Sequence, residues 1–449
     1  MENGDKLREV LKEELEKVKI WADERKELEK VSMAVIAEVE RKVKKKKINA
    51  SMFVGGSLAK NTLLRKKNQD IDLFLRFDKS YSEEDINKAM RKVFFFFRVP
   101  GYKIKLKKLH GSRDYVRIDF KGGGKEISSL SVEVVPTLKI SKPEEARNVT
   151  DLSYFHVNYL KESIKKQKGL ADEIILAKAF CHAQNVYGAE SYINGLSGYA
   201  LELLVVHYKS FINFLEETSK MQANERVVID TERQYKSQQE ALDSLNLAKK
   251  QSPIILIDPT FKDRNATASL SSETLEKLKR GARAFLKNPS IEMFEEKKIE
   301  LEWLKTQALK AEGKVLVLEI KTNKQAGDIA GTKLLKFSKV ISREIAKNFD
   351  VLGERFDYMD GKKASIYYVI KRKKEIIFKG PLVTNKIAVD GFKKEHPVWH
   401  TIGEGNKKRI CASKDPRIEP KKMIKEFKKN NKKLLRQMSI VKMKVVKVY

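Results

Sequence analysis

Cysteine is nearly missing from this 449-residue sequence: Cys181 and Cys411 stand far apart and form no metal-spacing pair. That excludes a disulfide scaffold and a cysteine-based zinc module, and it fits a reducing, cytoplasmic compartment. No run approaches the roughly 20 apolar residues a membrane-spanning helix needs, so no membrane partner is expected. The opening stretch, MENGDKLREVLKEELEKVKI, is charged and amphipathic and lacks the apolar core of a signal peptide. Acidic residues are outnumbered, with 61 Asp and Glu against 93 Lys and Arg, a formal charge of +32. Between Gly361 and Tyr449 there are 26 basic and 7 acidic residues, so an excess of 19 sits in the last fifth. A positive field concentrated in this way suits a polyanion, because each phosphate contact releases condensed counterions. A lysine-rich, merely solvated surface accounts for the overall charge nearly as well, but less well for the clustering.

With 41% apolar and 34% charged residues the chain reads as globular, and its length calls for about two to four domains. Residues 5–47 have apolar positions at three- and four-residue spacing and read as helix. SMFVGGS is a strand running into a glycine turn, and IDLFLRF, YKIKLKKL, YVRIDF and LSVEVVPTL are further strands, with the helical SEEDINKAMRKVFFFF among them. Residues 1–145 therefore read as a mixed αβ domain with an N-terminal helix. Residues 146–295 read as helical, including ADEIILAKAFCHAQNVYG and GLSGYALELLVVHYKSFINFLEE, with ILIDPT as a short strand and a serine-capped helix near the end. Residues 296–449 read as a basic α+β region, in which strand, helix and two strands suit a sheet with helices on one face. The fold class expected is α+β and multidomain.

The chemistry concentrates in Gly55-Gly56-Ser57-Leu58-Ala59-Lys60-Asn61-Thr62 followed by Asp70-Ile71-Asp72. Glycines let a backbone approach a phosphate, and successive N–H groups with the Ser57 hydroxyl can donate to its oxygens. Asp70 and Asp72, two apart on a strand, point to one face. Two carboxylates on one face need positive charge between them, and a pair of Mg²⁺ ions bridging a triphosphate supplies it. A lone Gly-Ser is common and a lone DxD is often a solvated strand edge; the combination outweighs both bland readings.

GGSLAKNT…DIDLFLRF resembles the nucleotidyltransferase superfamily that shares a palm with DNA polymerase β. That resemblance implies a third carboxylate on a neighbouring strand. Glu133 in SVEVVP matches the position, where Asp is commoner, and Asp119 in YVRIDF competes with it. Downstream the resemblance narrows to archaeal-type (class I) CCA-adding enzymes, carried by DLSYFH at Asp151, ILAKAF at Ile175, YGAE at Tyr187, LSGY at Leu196, IDP…RN at Ile257 and HPVWHT at His396. It implies that Ser57 and Lys60 hold the triphosphate, that Asp70, Asp72 and Glu133 bind Mg²⁺, that His156, Lys178 and Tyr187 contact the nucleotide, and that Arg264 faces the base. It further implies addition of C, C and A to tRNA from CTP and ATP by untemplated two-metal transfer. A homodimer is compatible with the sequence.

Bland readings compete at several positions. His156 could be a core histidine, Tyr187 a helix-end aromatic, and Arg264 a solvated turn residue. Lys178 on an apolar helix stripe is harder to read as surface. Phe94 to Phe97 read as core packing rather than base-stacking groups, and the histidines of HPVWHT as structural or RNA-contacting. The rival functions are a poly(A) polymerase or terminal uridylyltransferase and, in another class, a non-catalytic RNA-binding protein on a transferase palm.

Overall fold

In this computed structural model, described over residues 2–121, 129–222, 225–296, 301–358, 361–414, 416 and 418–449, the chain divides into two units. One comprises Met1–Ala189 with Ile193–Lys297, and the other Glu190–Tyr192 with Lys298–Tyr449. Among the described residues no helix is long and apolar enough to cross a membrane.

The first unit opens with α1 (Glu2–Val18) and α2 (Ala22–Lys45), where the sequence read as one helix. The break comes at Trp21, whose backbone N–H donates to Glu24 (3.1 Å) and whose ring carries the Arg65 guanidinium 3.5 Å away. Helix α2 lays Leu28, Val31, Val35, Val39 and Val43 on a five-stranded sheet, a stripe at the helical period. That sheet has the order β1-β2-β5-β4-β3, from β1 (Ala50–Val54), β2 (Asn68–Asp78), β3 (Lys103–Leu109), β4 (Tyr115–Lys121) and β5 (Ser129–Lys139). Strands β2 and β5 run parallel and the other neighbours antiparallel. A short helix, α3 (Gly56–Lys60), follows β1, and α4 (Glu83–Phe94), capped by Ser82, covers the sheet beside α2. Beyond α4 the phenylalanine run splits: Phe94 and Phe97 are buried, while Phe95 and Phe96 are 66% and 77% exposed, so core packing explains only half of it.

Helices α5 (Ser153–Lys166), α6 (Leu170–Ala183), α7 (Gly198–Tyr208), α8 (Phe211–Lys220) and α10 (Ser272–Lys287) build a second core around Phe180, Phe211, Phe285 and Phe294. Helix α1 packs on this core through Val10 rather than on the sheet. A small sheet, β6 (Val227–Ile229), β7 (Ile254–Asp258) and β8 (Phe261–Asn265), accompanies α9 (Gln238–Ser244).

The second unit holds a four-stranded antiparallel sheet ordered β10-β11-β9-β15, from β9 (Lys314–Thr322), β10 (Phe349–Asp357), β11 (Lys363–Arg372) and β15 (Ile440–Val448). Here the expectation of helices on one face needs correction. Helices α12 (Asp328–Asn348), α14 (Pro420–Asn430) and α15 (Lys432–Gln437) cover Leu316, Leu318 and Ile320, while α11 (Leu301–Lys310) covers Val315, Val317 and Val369 on the other side. The cause is visible in KVLVLEIK, whose apolar residues are continuous rather than alternating, as a strand buried on both faces requires. A second sheet, β12 (Ile376–Leu382), β14 (Arg409–Lys414) and β13 (Trp399–Ile402), carries α13 (Lys386–Glu395). The terminal strand β15 pairs with β9 over most of its length, so it belongs to the core of its unit.

Candidate active site

Three groups of side chains occupy the first unit. The first lies on β2, β5 and β4. Asp70 and Asp72 share the less buried face of β2, and the parallel register sets Asp72 beside Glu133 and Asp70 beside Ser131. The Ser131 hydroxyl donates to Asp70, and Arg117 on β4 reaches Asp70 (3.2 Å), Asp119 (3.0 Å) and Glu133 (3.4 Å). Asp119, the rival third carboxylate, is committed to Lys107 at 2.6 Å as well as to Arg117. These cations hold Asp119 below the usual carboxylate range against the opposing effect of burial.

Asp72 differs from its neighbours. Among the described residues no ion pair reaches its carboxylate. Burial pushes its carboxyl up; Lys60 pulls against that and Asp70 adds to it. Gly56 adopts φ +59°, and a Cβ there would run into the Asp72 carboxylate, so only glycine leaves that carboxylate room. The Gly55 N–H donates to the Asp72 carbonyl (3.0 Å) and fixes the turn against β2.

Among the described residues no three carboxylates or imidazoles stand together as a ready-made ion site, and the Arg117 guanidinium stands among Asp70, Asp119 and Glu133. The residues nevertheless fit a divalent ion. They are hard oxygen donors on one face, and Asp72 carries a charge that its surroundings disfavour and a dication would favour.

The second group joins the Gly-Ser turn to α6 and α7. Lys178 Nζ donates to Ser57 Oγ (3.1 Å), the Thr62 carbonyl (3.1 Å) and Glu202 Oε1 (2.7 Å). Lys60 Nζ reaches the other oxygen of Glu202 at 2.5 Å, and the Thr62 hydroxyl donates to Oε1 (3.0 Å). All three charged residues are buried. Burial alone would raise Glu202, but Lys178 and Lys60 hold it down to about 2. Burial lowers Lys178 to about 8 even though Glu202 supports its charge.

The third group gathers on Asp258, fully buried at the end of β7. Arg264 Nη1 donates to Asp258 Oδ2 (2.7 Å), while Tyr199 (2.9 Å) and the Thr260 N–H (2.8 Å) donate to Oδ1. His156 stacks on the Tyr199 ring at 3.9 Å, and its Nε2 lies 3.0 Å from Oδ2, a charged contact only when the imidazole is protonated. Burial lowers His156; burial would raise Asp258, but His156, Arg264 and the Thr260 N–H hold it far below the carboxylate range.

The structure thus unites Ser57, Lys60 and Lys178 in one group and His156 with Arg264 in another. Tyr187 is stacked on His182 at 4.0 Å. His182 is pushed down to about 3, first by burial and then by Lys66 and Lys178. Sequence reasoning missed Glu202 and Arg117. Glu202 left a signal, as the lone carboxylate in the apolar run YALELLVV, just as Lys178 is the lone cation in IILAKAF. His396 and His400 lie on or beside the exposed edge strand β13 of the second unit.

A parallel strand pair bearing carboxylates beside a Gly-Ser turn and a lysine cradle defines a nucleotidyltransferase. The model for the nucleotidyltransferase domain matches residues 36–155, and that for the second domain of tRNA nucleotidyltransferases matches 172–295. Enzymes of this class generally use divalent metal ions. The chain is 44% identical over 220 residues to the CCA-adding enzyme of Nanoarchaeum equitans, a stretch covering 49% of this chain and 51% of that protein. It is 30% identical over 397 residues to the CCA-adding enzyme of Methanocaldococcus jannaschii, covering 87% and 84%. With that of Pyrococcus abyssi the identity is 32% over 410 residues, covering 88% and 84%. The chain belongs to the family of CCA-adding tRNA nucleotidyltransferases.

Proposed function

We propose that this chain adds C, C and A to the 3′ end of tRNA, taking CTP and ATP and using no nucleic-acid template. The observation that carries this reading is the conjunction in one unit of the Asp70–Asp72 strand, the Ser57–Lys60–Lys178 cradle and the Asp258–Arg264 group. Residues 1–145 would serve as the catalytic domain, 146–295 as the nucleotide-binding domain, and 296–449 as the tRNA-gripping region.

Asp70 and Asp72 would hold Mg²⁺, with Glu133 completing the set once Arg117 turns from it toward Asp119. When bound, such ions lower the pKa of the RNA 3′-hydroxyl and neutralise charge on the departing pyrophosphate. Ser57, Lys60 and Lys178 would take the triphosphate, fixing the α-phosphate in line with the hydroxyl. Arg264, fixed by Asp258, would offer its remaining N–H groups to the base edge, while His156 and Tyr199 present a flat wall and Tyr187 makes a further contact. In the second unit, Lys425, Lys428, Lys429, Lys432 and Arg436 line a groove of about 750 Å³ whose field suits phosphates of the acceptor arm.

The test is to incubate a tRNA lacking its 3′ end with each nucleoside triphosphate separately and together. The reading expects two additions from CTP alone and one more only when ATP follows. Long tails of A or U would replace it with a poly(A) polymerase or a uridylyltransferase. No addition under any condition would leave an RNA-binding protein.

A further inference from the structure

Lys60 and Lys178 come from different elements, α3 and α6, and meet only through the two oxygens of Glu202 on α7. Two ammonium groups brought to one carboxylate repel each other and lose hydration, so a buried arrangement of this kind needs the counter-charge to exist at all. The Glu202 side chain is 1% exposed and is fully bonded: Oε2 accepts from Lys60, and Oε1 from Lys178 and Thr62. The group as a whole keeps one net positive charge, and Ser57 stands at its edge as the partner of Lys178.

We infer that Glu202 is a positioning residue for nucleotide binding, one buried carboxylate that holds the Lys60 and Lys178 ammonium groups side by side at the Ser57 turn. It touches no nucleotide itself; it acts through the two lysines. The inference rests on the reading above that those lysines take the triphosphate.

The electrostatics around Lys178 give the role a signature. Facing Lys178 are Glu202 from α7, Lys60 from α3, Lys66 from the segment before β2, Asp72 from β2 and His182 on its own helix. Glu202 is the largest influence favouring its charge, against burial, Lys60 and Lys66. Glu202 thus supports the charged form of Lys178 against its burial. Without Glu202 the balance tips to burial, so Lys178 rests neutral and must take up a proton when an anion arrives.

The experiment measures binding of inorganic tripolyphosphate, a base-free probe, by calorimetry at neutral pH in buffers of different ionisation enthalpy. Glu202→Gln should weaken binding by on the order of 10²-fold, because a buried charge pair loses one partner. It should also take up nearly one more proton per probe bound than the natural protein. Glu202→Asp keeps the charge but shortens the reach, so it should weaken binding less and leave the proton count unchanged. KM for CTP and for ATP should rise together, since the cradle ignores the base. A folded Glu202→Gln that binds the probe as tightly as the natural protein, with no added proton, overturns the inference. If Glu202→Gln does not fold, Glu202→Asp decides: unchanged probe affinity also overturns it. Lys60→Met and Lys178→Met separate the two claims. If neither weakens the probe, the triphosphate reading fails; if both do and the Glu202 variants do not, only the role of Glu202 fails.

Discussion

The two units handle charge in opposite ways. Every buried charged side chain among the described residues, from Glu14 to Lys279, lies before residue 297, whereas from 301 onward only Thr322 and Ser338 are buried polar side chains. Lysine shows the contrast best. Lys178 is buried and bonded to Ser57, Thr62 and Glu202, while Lys425, Lys428 and Lys429 stand exposed along a groove. A buried charge is costly, and a fully bonded one such as Lys178 is held in fixed geometry. An exposed lysine costs little and acts through a screened field that needs no fixed geometry. On the function proposed above, the first unit would serve placement and the second grip. Substitutions in the first should alter turnover and base choice, and those in the second salt-dependent affinity.

The largest expected effect tests the placement side. Asp72→Asn should reduce addition by at least about 10²–10³-fold, since it removes a charge from the position proposed to touch the metal ions. Its stability should move the other way. Asp72 has a raised carboxyl in the fold, so the fold is favoured by the protonated form, and that contribution fades as pH rises through the folded value. Asparagine mimics the protonated form, so the melting temperature at neutral pH without added metal should hold or rise. Near-normal turnover, or a fall in melting temperature with unchanged turnover, would break the comparison at its strongest point.

Next in size is Glu133 against Asp119. Glu133→Gln should lose on the order of 10²-fold in turnover, while Asp119→Asn stays within a few-fold. Both lie near Arg117, but Glu133 is in register with Asp72 and Asp119 is paired with Lys107. Losing the partly exposed Asp119 pairs should cost at most about 1 kcal/mol of stability, read by denaturant titration. The reverse ranking of turnover would move the third carboxylate to Asp119.

Arg264→Ala sharpens the comparison within the first unit by asking whether placement extends to the base. Loss of a charged hydrogen-bond donor should cost about 10- to 10²-fold in preference for C and A over U and G, with triphosphate affinity little changed. Asp258 keeps Tyr199 and the Thr260 N–H, so the fold should survive. Misincorporation equal to that of the natural protein would make Arg264 a structural partner of Asp258 alone.

How much of this was legible depended on whether a feature is local. The glycine turn, the Asp70–Asp72 alternation and the order of strands are written in neighbouring residues, and the fold kept them. The pairing of Lys178 with Glu202 is not local, because it joins helices 24 residues apart. It could have been sought as two lone opposite charges in two apolar helices. The Arg117 bridge depends on the β4–β5 register, which no short motif encodes. The second face of the β9 sheet was misjudged although KVLVLEIK lacks alternation. Phe95 and Phe96 followed Phe94 out of α4, where the chain leaves the helix and the apolar count no longer predicts burial.

The smallest effect on chemistry should come from the grip side. Removing everything after Glu419 is a poor test, because β15 pairs with β9 and α14 buries Met423, Ile424 and Phe427, so the truncated unit would lose part of its core. Replacing Lys425, Lys428 and Lys429 with glutamine leaves that core intact, since all three are exposed. The variant should keep its melting temperature and its rate at saturating tRNA. Its tRNA affinity at moderate salt should fall, and the slope of log affinity against log salt should become shallower by somewhat less than one unit for each phosphate no longer neutralised. At high salt the two proteins should converge, since screening removes from the natural protein what the substitutions remove from the variant. A variant with unchanged affinity and unchanged slope would show that the lysines of α14 are solvated surface, and the grip would have to be sought on another face of the second unit.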